Sequence, residues 1–264
     1  MRGMRLLWQY LPALLILISV LVGWEIAVRA FNVKGFILPA PSAIWAALID
    51  NWNEGYGIFP SARVTLIEAL GGLAIGTGLG VVVAVGVSRF PRSRDTVLPL
   101  AVAVNAVPII AFAPLANSWF GALSPFSKMA IAAALVFFPI MINLLRGLTQ
   151  VDGSALELMR SYAAGPTAVT SKLRIPNALP YFLTGLKIAT TLSLIGAVVG
   201  EYFGGLTETL GRVVVAGASA LRFDVTWSAI LVVSVMGIVM YLLVILLERF
   251  LIPWHPSVRG ERRA

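Results

Sequence analysis

Cysteine is absent from the 264 residues, and histidine occurs once, at His255 beside prolines in the C-terminal tail. The first absence excludes disulfides, iron–sulfur clusters and thiolate chemistry. The second deprives a metal centre or a Ser-His-Asp triad of its usual ligands and base. No G-x-x-x-x-G-K-[ST] stretch occurs, so the chain has no P-loop with which to hydrolyse ATP. Internal repeats and low-complexity linkers are missing too. Charged residues make up only 12% of the chain against 59% hydrophobic, more apolar side chain than one soluble core can bury. An all-α polytopic membrane protein is expected, with no catalytic residues and no metal site.

Six stretches are long enough to span a bilayer, at about 8–30, 62–87, 96–116, 127–148, 179–201 and 226–251. They read as one transmembrane domain over 1–264. The net charge of +8 sits in short clusters between apolar runs, which suits positive-inside topology better than nucleic acid. With the N-terminus inside, fourteen Lys and Arg fall on the cytoplasmic side and six on the other, so both termini are expected in the cytoplasm. The first apolar run is too long for a signal peptide, and no small-residue cleavage site follows it.

One polar interruption separates the fourth and fifth spans: Q-V-D-G-S-A-L-E-L-M-R-S-Y-A-A-G-P-T-A-V-T-S-K-L-R-I-P-N-A-L-P, residues 150–180. Ser154 with Glu157 three residues on reads as a capping box, predicting a helix from Ala155 that Gly165 and Pro166 stop. Leu156, Met159 and Ala163 then share a face. A second short helix after Thr167 should end near Ile175, because Pro176 disfavours helical geometry in its predecessor. The stretch 153–176 is thus a helix–turn–helix elbow, too polar for lipid.

This elbow resembles the cytoplasmic loop of the inner-membrane permeases of ATP-binding-cassette importers, whose consensus reads E-A-A-x3-G-x9-I-x-L-P. Aligned on Glu157, the consensus Gly falls on Ala163, Ile on Leu173, Leu on Ile175 and Pro on Pro176, with spacing kept throughout. Leu158 and Met159 replace the two alanines. Ala163 replaces the glycine, and Gly165 stands two residues on as an alternative turn. L-P-A-P-S-A-I-W at 38–45 and N-A-V-P-I-I-A-F-A-P-L-A-N-S-W-F-G at 105–121 are similar to the nitrate, sulfonate and taurine branch of the same family. The resemblance implies a type I importer permease, and it implies that Leu156, Glu157, Met159, Ala163, Gly165 and Pro176 couple to a cytoplasmic ATPase. It also implies an extracytoplasmic solute-binding protein and a second copy of the chain. No cofactor is expected in this chain, ATP and magnesium belonging to the ATPase.

Other spans add detail. Gly72, Gly76 and Gly80 recur every four residues in the second span, a packing row whose partner is either another span or a second copy. Arg63 and Glu68 lie near its outer end, where long side chains can reach the interface. Pro99, Pro108 and Pro114 make the third span irregular, and Asn105 is its main polar group, so Asn105 and Pro108 are candidate pathway residues, with an interhelical hydrogen bond as the rival role for Asn105. Ser193 and Met236 are further candidates, although hydroxyls also bond back to their own helix. Ser42 is placed to cap a short helix presenting Ile44, Trp45 and Leu48. An outer helix or re-entrant piece is expected within 202–224.

Two rival classes remain. A membrane-embedded enzyme would need clustered Asp, Glu, His or Cys within a span, and none is evident. A secondary transporter or channel without an ATPase would be expected to show repeats and an intramembrane ionisable group. No buried arginine is evident for a sulfonate or nitrate, which favours an uncharged heterocycle, of the pyrimidine or riboflavin kind, within the solute classes that the resemblance implies.

Overall fold

The computed structural model describes residues 2–90, 96–97, 99–101, 103, 108–205 and 208–253. All regular structure among them is helical. Helices α1 (Arg2–Ala30), α2 (Pro41–Asp50) and α3 (Ile58–Ser88) come first. A 3-10 turn at Ile109–Phe112 leads into α4 (Ala113–Phe120), α5 (Pro125–Thr149), α6 (Gly153–Ser161) and the single turn α7 (Pro166–Val169). A π-turn at Thr170–Arg174 joins α7 to α8 (Ile175–Phe203), and α9 (Leu210–Ser219) and α10 (Phe223–Leu251) follow. Five stretches among the described residues can cross a membrane by length and composition: Leu11–Ala30, α3, α5, the continuous run Pro166–Phe203 and α10. Much of the expected third span, Asn105 included, lies outside the described residues.

Contacts gather into two compact units, Met1–Ala62 with Thr207–Val232, and Arg63–Leu206 with Val233–Ala264. In the first, Trp24 and Trp227 meet edge to face at 5.4 Å. Helix α2 turns Ile44, Ala47 and Leu48 inward and leaves Trp45 exposed. Of the three side chains that the helix is expected to present, only Trp45 is presented, since it lies about 100° round from Ile44 and about 60° from Leu48. Ser42 is not the cap. The N-cap is Ala40, and Glu25 accepts both the Ser42 amide (3.0 Å) and hydroxyl (2.7 Å). A nearby carboxylate, also bonded to Arg29 at 2.6 Å, outcompetes capping for that hydroxyl. Ser228 Oγ lies 2.7 Å from both Ile44 O and Asp224 O, tying α10 to α2.

The second unit is built by glycine. A Cβ added at Gly72 would stand 2.4 Å from Ala132 Cβ, at Gly76 2.5 Å from Ala133 O, and at Gly80 2.9 Å from Ile140 Cγ2. The partner of the glycine row is therefore α5 of the same chain. On the α8 contact, Gly196 would meet Ala132 Cα at 2.5 Å and Gly147 would meet Ala178 Cα at 2.6 Å. Such approaches bring backbones together, so that close van der Waals packing replaces a hydrophobic drive. Val136, Ile140 and Ala189 are fully buried in this seam.

Candidate coupling elbow and intramembrane polar sites

Helix α6 begins two residues earlier than the capping box predicts. Asp152 is the N-cap, its carboxylate accepting the Ser154 amide at 3.2 Å and the Ser154 hydroxyl at 2.6 Å. Ser154 thus spends its hydroxyl as a donor, and an ionised acceptor wins the helix end. The same two bonds, hydroxyl first, hold the Asp152 carboxyl below its ordinary range.

The helix ends at Ser161, short of Gly165. Ala163 N–H bonds Arg160 O at 2.9 Å and Ala164 N–H bonds Met159 O at 3.0 Å, the paired bonds of a Schellman turn. Its left-handed position is Ala163, with φ 49°. The turn stands at the aligned position without the glycine that suits it, while Gly165 is extended at φ −68° and caps α7. Ala163 is therefore outside the helix and does not continue the face of Leu156 and Met159.

Pro176 does not end the second helix. Ile175 keeps φ −65° and ψ −49°, and its N–H reaches Thr170 O five residues back. The π-turn inserts one residue into the winding just where proline lacks a donor, so α7 runs into α8 without a break. Asn177 Nδ2 then donates to Gly147 O (2.7 Å) and Gln150 O (3.1 Å), carbonyls at the end of α5. Asn177 pins the two legs of the elbow together and was not singled out from sequence. Its signal was a side-chain donor one residue after Pro176, facing a helix end with orphan carbonyls.

No α6 side chain is buried. Leu156 and Met159 are half-buried, Glu157, Ala163 and Gly165 exposed, and Pro176 half-buried. Leu158 is 57% exposed, Tyr162 76% and Ile175 51%. The freest apolar surface of the elbow is thus carried by Leu158 and Tyr162 more than by Leu156 and Met159.

Deeper in the second unit, polar groups that stand far apart in the sequence come together. Glu68 does not reach an interface: it is 2% exposed and meets Glu201 and Lys128, both 0% exposed. Positions 68, 128 and 201 come together because α3, α5 and α8 converge, an adjacency that no short motif carries. Lys187 Nζ and Glu248 Oε2 pair at 2.6 Å between α8 and α10.

The described pathway candidates differ in their surroundings. Pro108 is exposed. Ser193 is buried and donates to Thr190 O at 2.9 Å, a bond within its own helix. Met236 is half-buried against Ala69, Leu194, Ala197 and Met240. An open groove of about 480 Å³ runs between α8 and α10, with Thr191, Ile195, Tyr202, Ser234 and Tyr241 in its wall and no charged side chain lining it.

The sequence pattern of the family described as "Binding-protein-dependent transport system inner membrane component" matches residues 76–254. The formylaminopyrimidine transport permease protein ThiX of Halalkalibacterium halodurans is 33% identical over 96% of this chain and 99% of its own length. The riboflavin transport system permease protein RibX of Chloroflexus aurantiacus is 27% identical over 96% and 93%. The taurine transport system permease protein TauC of Escherichia coli is 25% identical over 90% and 87%. With the all-helical membrane fold and the elbow at its aligned place, the chain belongs to the family of inner-membrane permease components of binding-protein-dependent transport systems.

Proposed function

We propose that the chain is the membrane-spanning permease subunit of an ATP-driven importer, fed by an external solute-binding protein and powered by a separate cytoplasmic ATPase that holds the nucleotide and magnesium. The observation that carries this reading is the elbow. It is an independently capped helix with no buried side chain and with Leu158 and Tyr162 open to a partner. It is set between two spans, and beyond the Ala163 turn the second leg of the elbow, α7, is continuous with α8. Movement of an ATPase on α6 would pass across the short turn at Ala163 into the α7–α8 run that enters the membrane and shift the balance between inward-facing and outward-facing arrangements. The coupling set is Leu156, Glu157, Leu158, Met159, Ala163, Gly165 and Pro176. Both termini are cytoplasmic in this reading, and the permease works as a pair with a second copy of itself.

The solute pathway runs past Asn105 and the Pro108 break. Ser193 and Met236 flank positions of the α8–α10 groove, beside Leu194 and between Ser234 and Gly237. A groove walled by two tyrosines, hydroxyls and aliphatic side chains suits a flat, uncharged heterocycle better than a sulfonate or nitrate, which would call for a cation. Relatives named for a formylaminopyrimidine and for riboflavin support that choice.

The test is uptake of labelled pyrimidine, flavin and sulfonate solutes into vesicles carrying the permease with its genomic ATPase and binding protein. ATP-dependent accumulation of a heterocycle is expected. Accumulation driven by an ion gradient with the ATPase absent would replace this reading with a secondary transporter.

A further inference from the structure

The α8–α10 groove is walled by two facing helical stripes. Thr191, Leu194 and Val198 follow one another at helical spacing on α8, and Gly237 and Tyr241 do so on α10. Carried one turn back from Thr191, the first stripe reaches Lys187; carried on from Tyr241 through the buried Val244, the second reaches Glu248. Lys187 meets Glu248, and a Cβ at Gly237 would stand 3.5 Å from Leu194 Cδ1, so the helices run in opposite directions and both stripes end on one ion pair. The pair is the next rung beyond the groove. It lies at the end toward the elbow, about twelve residues or 18 Å along α8 from Ile175.

Lys187 Nζ donates to Glu248 Oε2 at 2.6 Å, the two side chains being 20% and 11% exposed, and neither makes another side-chain hydrogen bond or ion pair among the described residues. Such a pair has two comfortable states. Closed and dry, each charge is the other's partner; drawn well apart, both are hydrated. Between these lies separated charge without water, the costliest arrangement, so the contact is either made or open. Apolar contacts between spans lack this property, because acyl chains replace them without such a penalty.

We propose that Lys187 and Glu248 form a two-state latch across the elbow end of the groove. Paired, they hold α8 to α10 and shut that end; movement of α8 driven from the elbow parts them, water enters, and the solute passes between them. They are positioning residues, and their role rests on the reading of the elbow and groove given above.

Because the chain has no cysteine, nitroxide labels can be placed at Ile188→Cys and Leu247→Cys alone, exposed neighbours of the two charges. Pulsed electron–electron resonance on this full-length chain in lipid nanodiscs, without ATPase, should give one narrow distance. Glu248→Gln and Lys187→Met should each add a longer one, and exchange of the charges, Lys187→Glu with Glu248→Lys, should restore the single distance. Lys187→Met with Glu248→Met should fold and keep the longer distance, whereas a plain packing staple would stay closed under that apolar pair. Should a single variant fail to fold, the exchanged and apolar pairs decide alone. With the partner ATPase turning over ATP, the chain with its native ion pair should also show the longer distance; uptake should fall about tenfold in each single variant and recover in the exchanged one. One distance in the neutralised variants, or a longer one persisting after exchange, overturns the latch. So does a distance that never lengthens while the chain with its native ion pair takes up solute. Absence of ATP-driven uptake in the wild type, with the nanodisc distances as expected, overturns the importer reading instead and leaves the two-state pair standing.

Discussion

The α3–α5–α8 seam and the elbow are neighbours in sequence but opposites in construction. The seam holds by close approach: glycines remove side chains so that backbone meets backbone, and Val136, Ile140 and Ala189 fill what remains. The elbow holds by local bonds at its ends, Asp152 at the start of α6, a Schellman pair at its close and Asn177 across its base, while no α6 side chain is buried. The contrast teaches where stability and function reside. Changing the seam should unfold the protein, whereas changing the elbow surface should leave it folded and disconnect it.

The largest effect should come from Gly76→Val, which drives a side chain into the Ala133 carbonyl at 2.5 Å. A loss of about 3 kcal/mol is expected, read as lowered melting in detergent. Gly78→Ala is its control, since nothing lies within 4 Å of a Cβ there. That change should be neutral or stabilise by up to about 1 kcal/mol. Equal losses at both sites would break the close-approach account.

Next come Leu158→Asp and Glu157→Lys on the elbow. Both should keep the wild-type melting temperature yet lower ATP-driven uptake about tenfold or more, equivalent to ~1.4 kcal/mol of coupling. Unchanged uptake with an intact ATPase complex would remove Leu158 and Glu157 from the coupling surface. Smaller is Ala163→Gly, which relieves a left-handed alanine at φ 49° and should stabilise the α6 turn by about 1 kcal/mol. Slower amide exchange at Ala163 and Ala164 is the readout.

The smallest effect concerns pH. Because the folded Asp152 carboxyl lies below its ordinary range, its capping contribution is complete at neutral pH and disappears as pH falls through that lowered value. The protection of amides in the first turn of α6, taken relative to their intrinsic exchange at each pH, should therefore fall in acid, and Asp152→Ala should show the low protection at every pH.

Fold class was legible because hydropathy alone demands buried helices, and the elbow was legible because a polar stretch between two spans has nowhere else to go. The glycine row was legible as a packing surface but not its partner, since the matching face of Ala132, Ala133 and Val136 looks like any apolar helix. Helix ends were misread where two local rules compete. Asp152 and Ser154 both suit a cap, and charge decided it, while Pro176 signals a stop that one extra residue of winding absorbs. The Glu68–Lys128–Glu201 cluster was not readable. Its members sit 60 and 73 residues apart, and each alone resembles a side chain at a span end.

The Lys187–Glu248 pair has a consequence for how the chain is made. Synthesis runs from the N-terminus, so α8 enters the bilayer some sixty residues before its acidic partner exists. During that interval Lys187 carries its charge in or near hydrocarbon at a cost on the order of 3 kcal/mol, or waits against the insertion machinery until α10 arrives. A nascent chain stopped short of Glu248 should therefore engage quality-control proteases even though every earlier span is complete, and restoring those last few residues should release it.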